Sequence, residues 1–348
     1  MLKVSIRYEI FFILDCEMDK LEYTPEVKEE TAEIYKKLEG IIPEEEWPLH
    51  APYIAAINKL KKERNAIILA HNYQTPEIYH GVADLVGDSL GMARMGAATD
   101  ADVIVVSGVH FMAETAKLLS PEKTVLIPDP KAGCSLADSI TADDVRMIKS
   151  SHPGIPVVTY VNTSAAVKAE TDICCTSANA VKVVNSLDSD KVIFLPDEHL
   201  GRYVASKTDK ELILWMGSCE VHRLFKPEEI RELKKSYPGI KVIAHPECTM
   251  DVLEEADYVG STSGMIKYVD ESKPPRVVLM TECSMSDNLA VDFPETEFIR
   301  PCNLCPHMKR ISLQNIYKSL VSLTPEVEIP EEIASAARRS VERMLEVS

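Results

Sequence analysis

An internal repeat constrains this chain more than any other feature. At an offset of 85 residues, Asp143 to Thr159 (DDVRMIKSSHPGIPVVT) lies over Glu228 to Ala244 (EEIRELKKSYPGIKVIA) without a gap. Arg146 falls on Arg231, Lys149 on Lys234, Ser151 on Ser236, Pro153-Gly154-Ile155 on Pro238-Gly239-Ile240, and Val157 on Val242. Further along, Asp172 meets Asp257, Ser177 meets Thr262, and Val192-Ile193-Phe194-Leu195 meets Val277-Val278-Leu279-Met280. A fainter first copy runs from Leu60-Lys61-Lys62 through Ile67-Ile68-Leu69-Ala70-His71, with one residue of slippage and an insertion at roughly Gly81 to Asp100. The chain therefore reads as a triplication whose first copy is the most altered. Three cysteines keep the same period, with 85 residues from Cys134 to Cys219 and 86 from Cys219 to Cys305. If three modules close around a pseudo-threefold axis, equivalent residues converge on it. Three thiolates meeting there make a metal site.

Within each copy, short β-branched runs alternate with amphipathic segments. The strands are expected at Ala66 to Ala70, Val103 to Ser107, Thr124 to Pro128, Val157 to Val161, Ile173 to Thr176, Val192 to Pro196, Leu212 to Met216, Lys241 to Ala244, Asp257 to Gly260 and Arg276 to Met280. Their near-continuous apolar character suits strands covered on both faces, as in parallel sheets. Helices are expected at Ala142 to Ser150 and Pro227 to Ser236, with a charged lead-in helix at Pro25 to Gly40 and a terminal helix at Glu326 to Val347. This alternation predicts βαβ units, so the fold class is α/β: three pseudo-threefold-related modules, each a small parallel sheet flanked by helices in three layers. Ligand-binding residues in such sheets gather beyond the carboxyl ends of the strands.

A chain of 348 residues accommodates modules of about 85 to 100 residues each. The formal net charge of −17 argues against general affinity for nucleic acid or anionic membrane, because binding phosphate arrays needs a cationic surface. Nine cysteines, an odd number that includes the adjacent pair Cys174-Cys175, argue against a disulfide framework and for a reducing cytoplasm. No apolar run has the length of a membrane span, and Ile10 to Leu14 is too short and too acid-flanked for a secretory signal. Met18 is an alternative start.

The strand ends carry unusual polar clusters. His71-Asn72-Tyr73-Gln74 follows the opening strand of the first module, Tyr160-Val161-Asn162-Thr163-Ser164 that of the second, and His245-Pro246-Glu247-Cys248 that of the third. Thr176-Ser177 and Ser261-Thr262-Ser263-Gly264 end the next strands, where hydroxyls and helix N-terminal amides suit a carboxylate or phosphate. Two other classes of function stay open on these residues. Gly87-Asp88-Ser89-Leu90 has the form of a GDSL-type serine esterase motif, although no Asp-x-x-His follows residue 240 and Ile78 to Ala98 has a helical pattern. A non-catalytic zinc- or iron-sulfur-binding protein accounts for the cysteines but leaves the His, Tyr and Glu clusters without a purpose.

From about Leu49 to Tyr317 the chain resembles quinolinate synthase. The resemblance rests on His71-Asn72-Tyr73, Gly87-Asp88-Ser89, Gly108-Val109-His110-Phe111-Met112-Ala113-Glu114-Thr115, Tyr160-Val161-Asn162-Thr163-Ser164-Ala165, Thr176-Ser177-Ala178-Asn179, Pro196-Asp197-Glu198-His199-Leu200-Gly201, Cys219-Glu220-Val221-His222, His245-Pro246-Glu247-Cys248 and Cys305-Pro306. It implies a cytoplasmic enzyme of NAD biosynthesis that condenses iminoaspartate with dihydroxyacetone phosphate to quinolinate, phosphate and water. It also implies a [4Fe–4S] cluster with three cysteine ligands, Cys134, Cys219 and Cys305, whose open iron acts as a Lewis acid. Cys302 forms Cys-x-x-Cys with Cys305 and is a competing ligand or redox partner; Cys16, Cys174, Cys175, Cys248 and Cys283 are expected not to ligate.

The same resemblance gives His71, Ser89, Ser177, His245 and Thr262 the two carboxylates of iminoaspartate, and gives Tyr73, Tyr160 and Asn162 the orientation of the triose and proton shuttling. Glu247 becomes the general base, and His222 a second acid near the open iron or a hydrogen-bonding neighbour of the cluster. An iminoaspartate-producing enzyme, an aspartate oxidase or an aspartate dehydrogenase, is the implied upstream source and a transient partner. The expected divisions are 1–48 for the extension and lead-in helix, 49–142, 143–227 and 228–320 for the modules, and 321–348 for a C-terminal helical segment.

Overall fold

The computed structural model describes residues 21–347. The Met18 start, the Ile10 to Leu14 stretch and Cys16 lie outside the described residues. Among the described residues twelve strands form three four-stranded sheets, and every pairing between them is parallel. In the first sheet β1 (Ala66–His71), β2 (Leu85–Gly87), β3 (Val103–Ser107) and β4 (Thr124–Leu126) stand in the order β2-β1-β3-β4. The second repeats it with β5 (Val157–Tyr160), β6 (Ile173–Cys175), β7 (Lys191–Leu195) and β8 (Glu211–Leu214) as β6-β5-β7-β8. The third does so with β9 (Lys241–Ala244), β10 (Tyr258–Val259), β11 (Arg276–Met280) and β12 (Glu297–Ile299) as β10-β9-β11-β12. The two inner strands of each sheet are almost wholly buried, which is why their sequences run apolar without alternation.

The residues shared between copies now have a physical reason. Asp84, Asp172 and Asp257 each precede an edge strand, and each accepts the backbone N–H of the neighbouring inner strand: Ile68 at 2.8 Å, Val157 at 2.8 Å and Val242 at 2.9 Å. The Asp backbone N–H answers the same residue's carbonyl, closing a two-way clamp at the strand entry. Arg146 and Lys149, on the helix Ala142–Ser151, hold Glu170 and its carbonyl; Arg231 and Lys234, on the helix Pro227–Ser236, hold Glu255 in the same way. Gly154 and Gly239 turn those helices into the strands at φ of 81° and 83°, a left-handed conformation that glycine adopts without strain.

Several expectations need correction. The first copy has no insertion of some twenty residues. Inner-strand partners Ala66 and Val103 are 37 apart, against 36 for Val157 and Ile193 and for Lys241 and Val277. Gly81 to Asp100 instead holds β2 and the helix Ser89–Ala98, the counterparts of β6 and β10 with their helices. It is thus strand, turn and helix, and not helical throughout, because Leu85-Val86-Gly87 pairs with β1 and Asp88 caps the helix by accepting the Gly91 N–H at 2.9 Å. The short strand β12 was also unanticipated.

The lead-in is two helices, Pro25–Glu30 and Ala32–Leu38, broken at Thr31, whose hydroxyl bonds back to the Val27 carbonyl. The terminal helix begins at Glu331 and not at Glu326, because residues 325–327 run extended beside β4, with Val327 N–H on the Val125 carbonyl and Ile127 N–H on that of Pro325. This helix buries Ala334, Ala337, Ser340, Val341 and Met344 against β6 and the helices His110–Leu119 and Ala165–Ala169. Among the described residues one disulfide, Cys283–Cys302, is present where none was expected, with Cα atoms 5.0 Å apart. Among the described residues no helix is long and apolar enough to cross a membrane.

Candidate active site and metal centre

Parallel strands send their carboxyl ends the same way, and the loops that follow β1, β5 and β9 line one cavity. All thirteen residues singled out for chemistry are on its wall: His71, Tyr73, Ser89, Cys134, Tyr160, Asn162, Ser177, Cys219, His222, His245, Glu247, Thr262 and Cys305. The loops are pinned from behind. Asn288 Nδ2 holds the Asn72 and Gln74 carbonyls, Lys309 Nζ holds that of Tyr73 at 2.7 Å, and the fully buried Lys168 holds that of Thr163. Asn72 Nδ2 donates to Thr262 Oγ1 at 2.7 Å and so ties the first module to the third.

At the centre lies a buried hydrogen-bonded chain drawn from all three modules. Tyr160 donates its hydroxyl to Glu247 Oε1 at 2.6 Å, and His222 Nδ1 lies 2.8 Å from Glu247 Oε2. On the other side of the ring, His222 Nε2 is 2.9 Å from Thr281 Oγ1, which is 2.5 Å from the Tyr73 hydroxyl. The His222 ring stacks on His245 with centroids 4.6 Å apart. Thr281 was not among the expected residues, although the 85-residue offset leads to it: Thr281-Glu282 falls on Pro196-Asp197 at the ends of β11 and β7. Asp197 and Glu282 are both fully buried carboxyls.

Burial sets the protonation states. It lowers His71 to about 4 and His245 to about 3, so both rings are neutral at pH 7. Each Nδ1 accepts a backbone N–H two residues on, from Tyr73 at 3.2 Å and Glu247 at 3.4 Å, which leaves Nε2–H as the donor in both. Burial also pushes the Tyr73 and Tyr160 phenols well above 10, with Glu247 adding to it, and keeps them protonated. Burial alone would raise the Glu247 carboxyl; His245, His222 and the hydrogen bonds from His222 and Tyr160 overcome it and hold the group ionised. Ionised Glu247 thus shares the cavity wall with neutral His71, His245, Tyr73 and Tyr160, and Asp88, Glu220 and Glu282 line it as well. Among the described residues no lysine or arginine lines it.

The three cysteines suit a polynuclear centre better than a single ion. Burial raises all three thiols, Cys134 to about 12, so their thiolates need a cation beside them. Among the described residues, the group whose ligand atoms all lie within the 4.8 Å reach of one ion is Cys219, His222 and Glu247, not the three cysteines. The wider spacing of Cys134, Cys219 and Cys305 around the same cavity fits a centre of several metal atoms. Cys302 is bonded to Cys283, while Cys174, Cys175 and Cys248 are buried off the cavity wall.

The fold and the cavity define a class: a three-module α/β protein whose strand ends gather three cysteines beside a buried acid–base chain. The family model described as quinolinate synthetase A protein matches residues 55–346, and the chain belongs to that family. Similar proteins include quinolinate synthase 2 of Mesorhizobium japonicum, 61% identical over 92% of this chain and 99% of that protein. Quinolinate synthase of Agrobacterium fabrum is 59% identical over 94% of this chain and 95% of its own, and that of Xylella fastidiosa 62% over 84% and 87%.

Proposed function

We propose that the chain condenses iminoaspartate with dihydroxyacetone phosphate to quinolinate, with release of phosphate and water, as a step of de novo NAD formation in the cytoplasm. The observation that carries this reading is the chain Tyr160–Glu247–His222–Thr281–Tyr73 on the same wall as the three cysteines. Condensing an imine with a triose phosphate and closing a pyridine ring demands repeated proton movement on carbon beside a carbonyl, together with loss of hydroxyl oxygen as water. Ionised Glu247 takes the carbon-bound protons, and the protonated phenols of Tyr73 and Tyr160 donate to the carbonyl oxygen. His222 passes protons between Glu247 and Thr281.

Anionic substrates are held without cationic side chains. His71 and His245 offer Nε2–H, while Ser89 and Thr262 open helices of ten and eleven residues whose N-termini favour carboxylate or phosphate. Ser177 supplies the equivalent hydroxyl in the second module. Asn162, whose buried Oδ1 has no protein partner, orients the triose. Cys134, Cys219 and Cys305 hold a [4Fe–4S] cluster, which when bound supplies Lewis acidity toward substrate oxygen. The modules are taken to begin at residues 49, 143 and 228, and the unstable imine to arrive from an enzyme that oxidises aspartate.

The test is quinolinate formation by anaerobically purified chain. Cys134→Ala, Cys219→Ala and Cys305→Ala each lose iron, sulfide and activity, whereas Cys174→Ala and Cys302→Ala keep all three. A Cys305→Ala protein that retains its cluster while Cys302→Ala loses it contradicts the ligand assignment.

A further inference from the structure

Cys219, His222 and Glu247 form a constellation of their own. His222 Nδ1 is 3.2 Å from Cys219 Sγ and 2.8 Å from Glu247 Oε2, and all three ligand atoms fall within 4.8 Å of one another. We propose that the cluster-free chain binds one divalent ion of the zinc class on Cys219 Sγ, His222 Nδ1 and Glu247 Oε2, and that this ion blocks cluster assembly because both centres need Cys219. The blocking half rests on the cysteine assignment proposed above; the ion site does not.

Thiolate, imidazole and carboxylate are the ligands zinc takes, at about 2.0 to 2.3 Å, and a tetrahedron of that size has edges of about 3.3 to 3.5 Å. The two separations from His222 Nδ1, 3.2 Å to Cys219 Sγ and 2.8 Å to Glu247 Oε2, need to open by only about 0.3 to 0.5 Å to reach those edges, and Sγ and Oε2 lie within 4.8 Å of each other. The atoms on the far side of two ligands are already engaged. Tyr160 holds Glu247 Oε1 at 2.6 Å, so Oε2, which faces His222 Nδ1, is the oxygen turned toward the ion. Thr281 Oγ1 sits 2.9 Å from His222 Nε2 and can accept its N–H, passing its own hydroxyl hydrogen to the Tyr73 oxygen 2.5 Å away. With Nε2 protonated, the Nδ1 lone pair points at the ion, the arrangement that outer partners impose on metal-bound histidines. Cys219 and His222 lie three apart on one tight turn, which keeps both on the same side whether or not an ion is present. On binding, His222 carries its proton on Nε2 instead of Nδ1, the ion takes the place between Nδ1 and Glu247 Oε2, and the Cys219 thiol proton leaves to solvent.

The experiment uses full-length chain purified free of cluster and loaded with one equivalent of Zn²⁺. X-ray absorption at the zinc edge is expected to count one sulfur at about 2.3 Å, the rest of the shell being nitrogen and oxygen. Three sulfurs overturn the proposal, because they place the ion among the cysteines. Cys134→Ala and Cys305→Ala bind zinc as the wild type does, and His222→Ala does not. Thr281→Val weakens binding about 10- to 100-fold, and Thr281→Ser restores it. Zinc-loaded chain fails to take up a cluster until a chelator removes the ion; uptake at the unhindered rate contradicts the shared use of Cys219. Cluster content without added zinc is measured separately, so a failure of the cysteine assignment is distinguishable from a failure of the zinc site.

Discussion

Glu247 does different work from the buried carboxyls around it because of its partners. Burial and the nearby Glu247 charge push Asp197 well above the ordinary carboxylate range, and burial raises Glu282 despite Lys309 at 3.1 Å, whereas Glu247 is held ionised by donors on both oxygens. Glu247→Gln keeps shape and cluster but loses the base, so turnover is expected to fall by about two to four orders of magnitude with iron content unchanged. Turnover near the wild-type value removes Glu247 from the mechanism. The buried histidines give a pH signature. His71 at about 4 and His245 at about 3 stay neutral in the fold, while in the unfolded chain both take up protons near 6.5. Stability is therefore full above pH 6.5 and is lost as pH falls toward 4, each ring steepening the slope toward about 1.4 kcal/mol per pH unit. Urea unfolding of cluster-free chain at pH 7 and pH 5 measures the slope, and His71→Gln with His245→Gln flattens it.

Each four-stranded sheet is entered through an aspartate clamp, and the clamp explains why Asp172 and Asp257 share the repeat offset. Asp172→Ala or Asp257→Ala leaves a strand N–H without its acceptor, at a cost of about 1 to 3 kcal/mol each. Denaturant titration of the two variants is expected to give similar losses; a large loss in one and none in the other breaks the equivalence of the modules. Much of this level was legible. Register between copies located the helices and inner strands, since those elements are buried and keep their apolar pattern. The edge strands β2 and β12 each have three residues with one exposed among them, so no apolar run marks them as it marks the equally short β4 and β6, and β2 was absorbed into a supposed insertion and helix. The start of the terminal helix was misplaced because residues 325–327 pair beside β4, a long-range contact that local sequence does not announce.

In the molecule as a whole, three sheets aim their strand ends at one cavity, and this makes equally spaced cysteines converge. The strand-end His, Tyr and Glu residues were legible because the repeat marks them three times over. Thr281 and Glu282 were not recognised, although the same offset leads to them, because a lone threonine and glutamate after a strand carry no chemical signature until the hydrogen bonds to Tyr73, His222 and Cys305 are seen. The Cys283–Cys302 pairing joins residues 19 apart and has no counterpart in the other modules. The central claim is that three cysteines hold four irons and leave one facing the substrate-binding residues. Mössbauer spectra of anaerobically purified, isotopically labelled chain, recorded with and without quinolinate, test it directly. A three-to-one division of iron sites is predicted, with the minority site shifting as quinolinate binds; four equivalent irons indifferent to saturating quinolinate contradict the account.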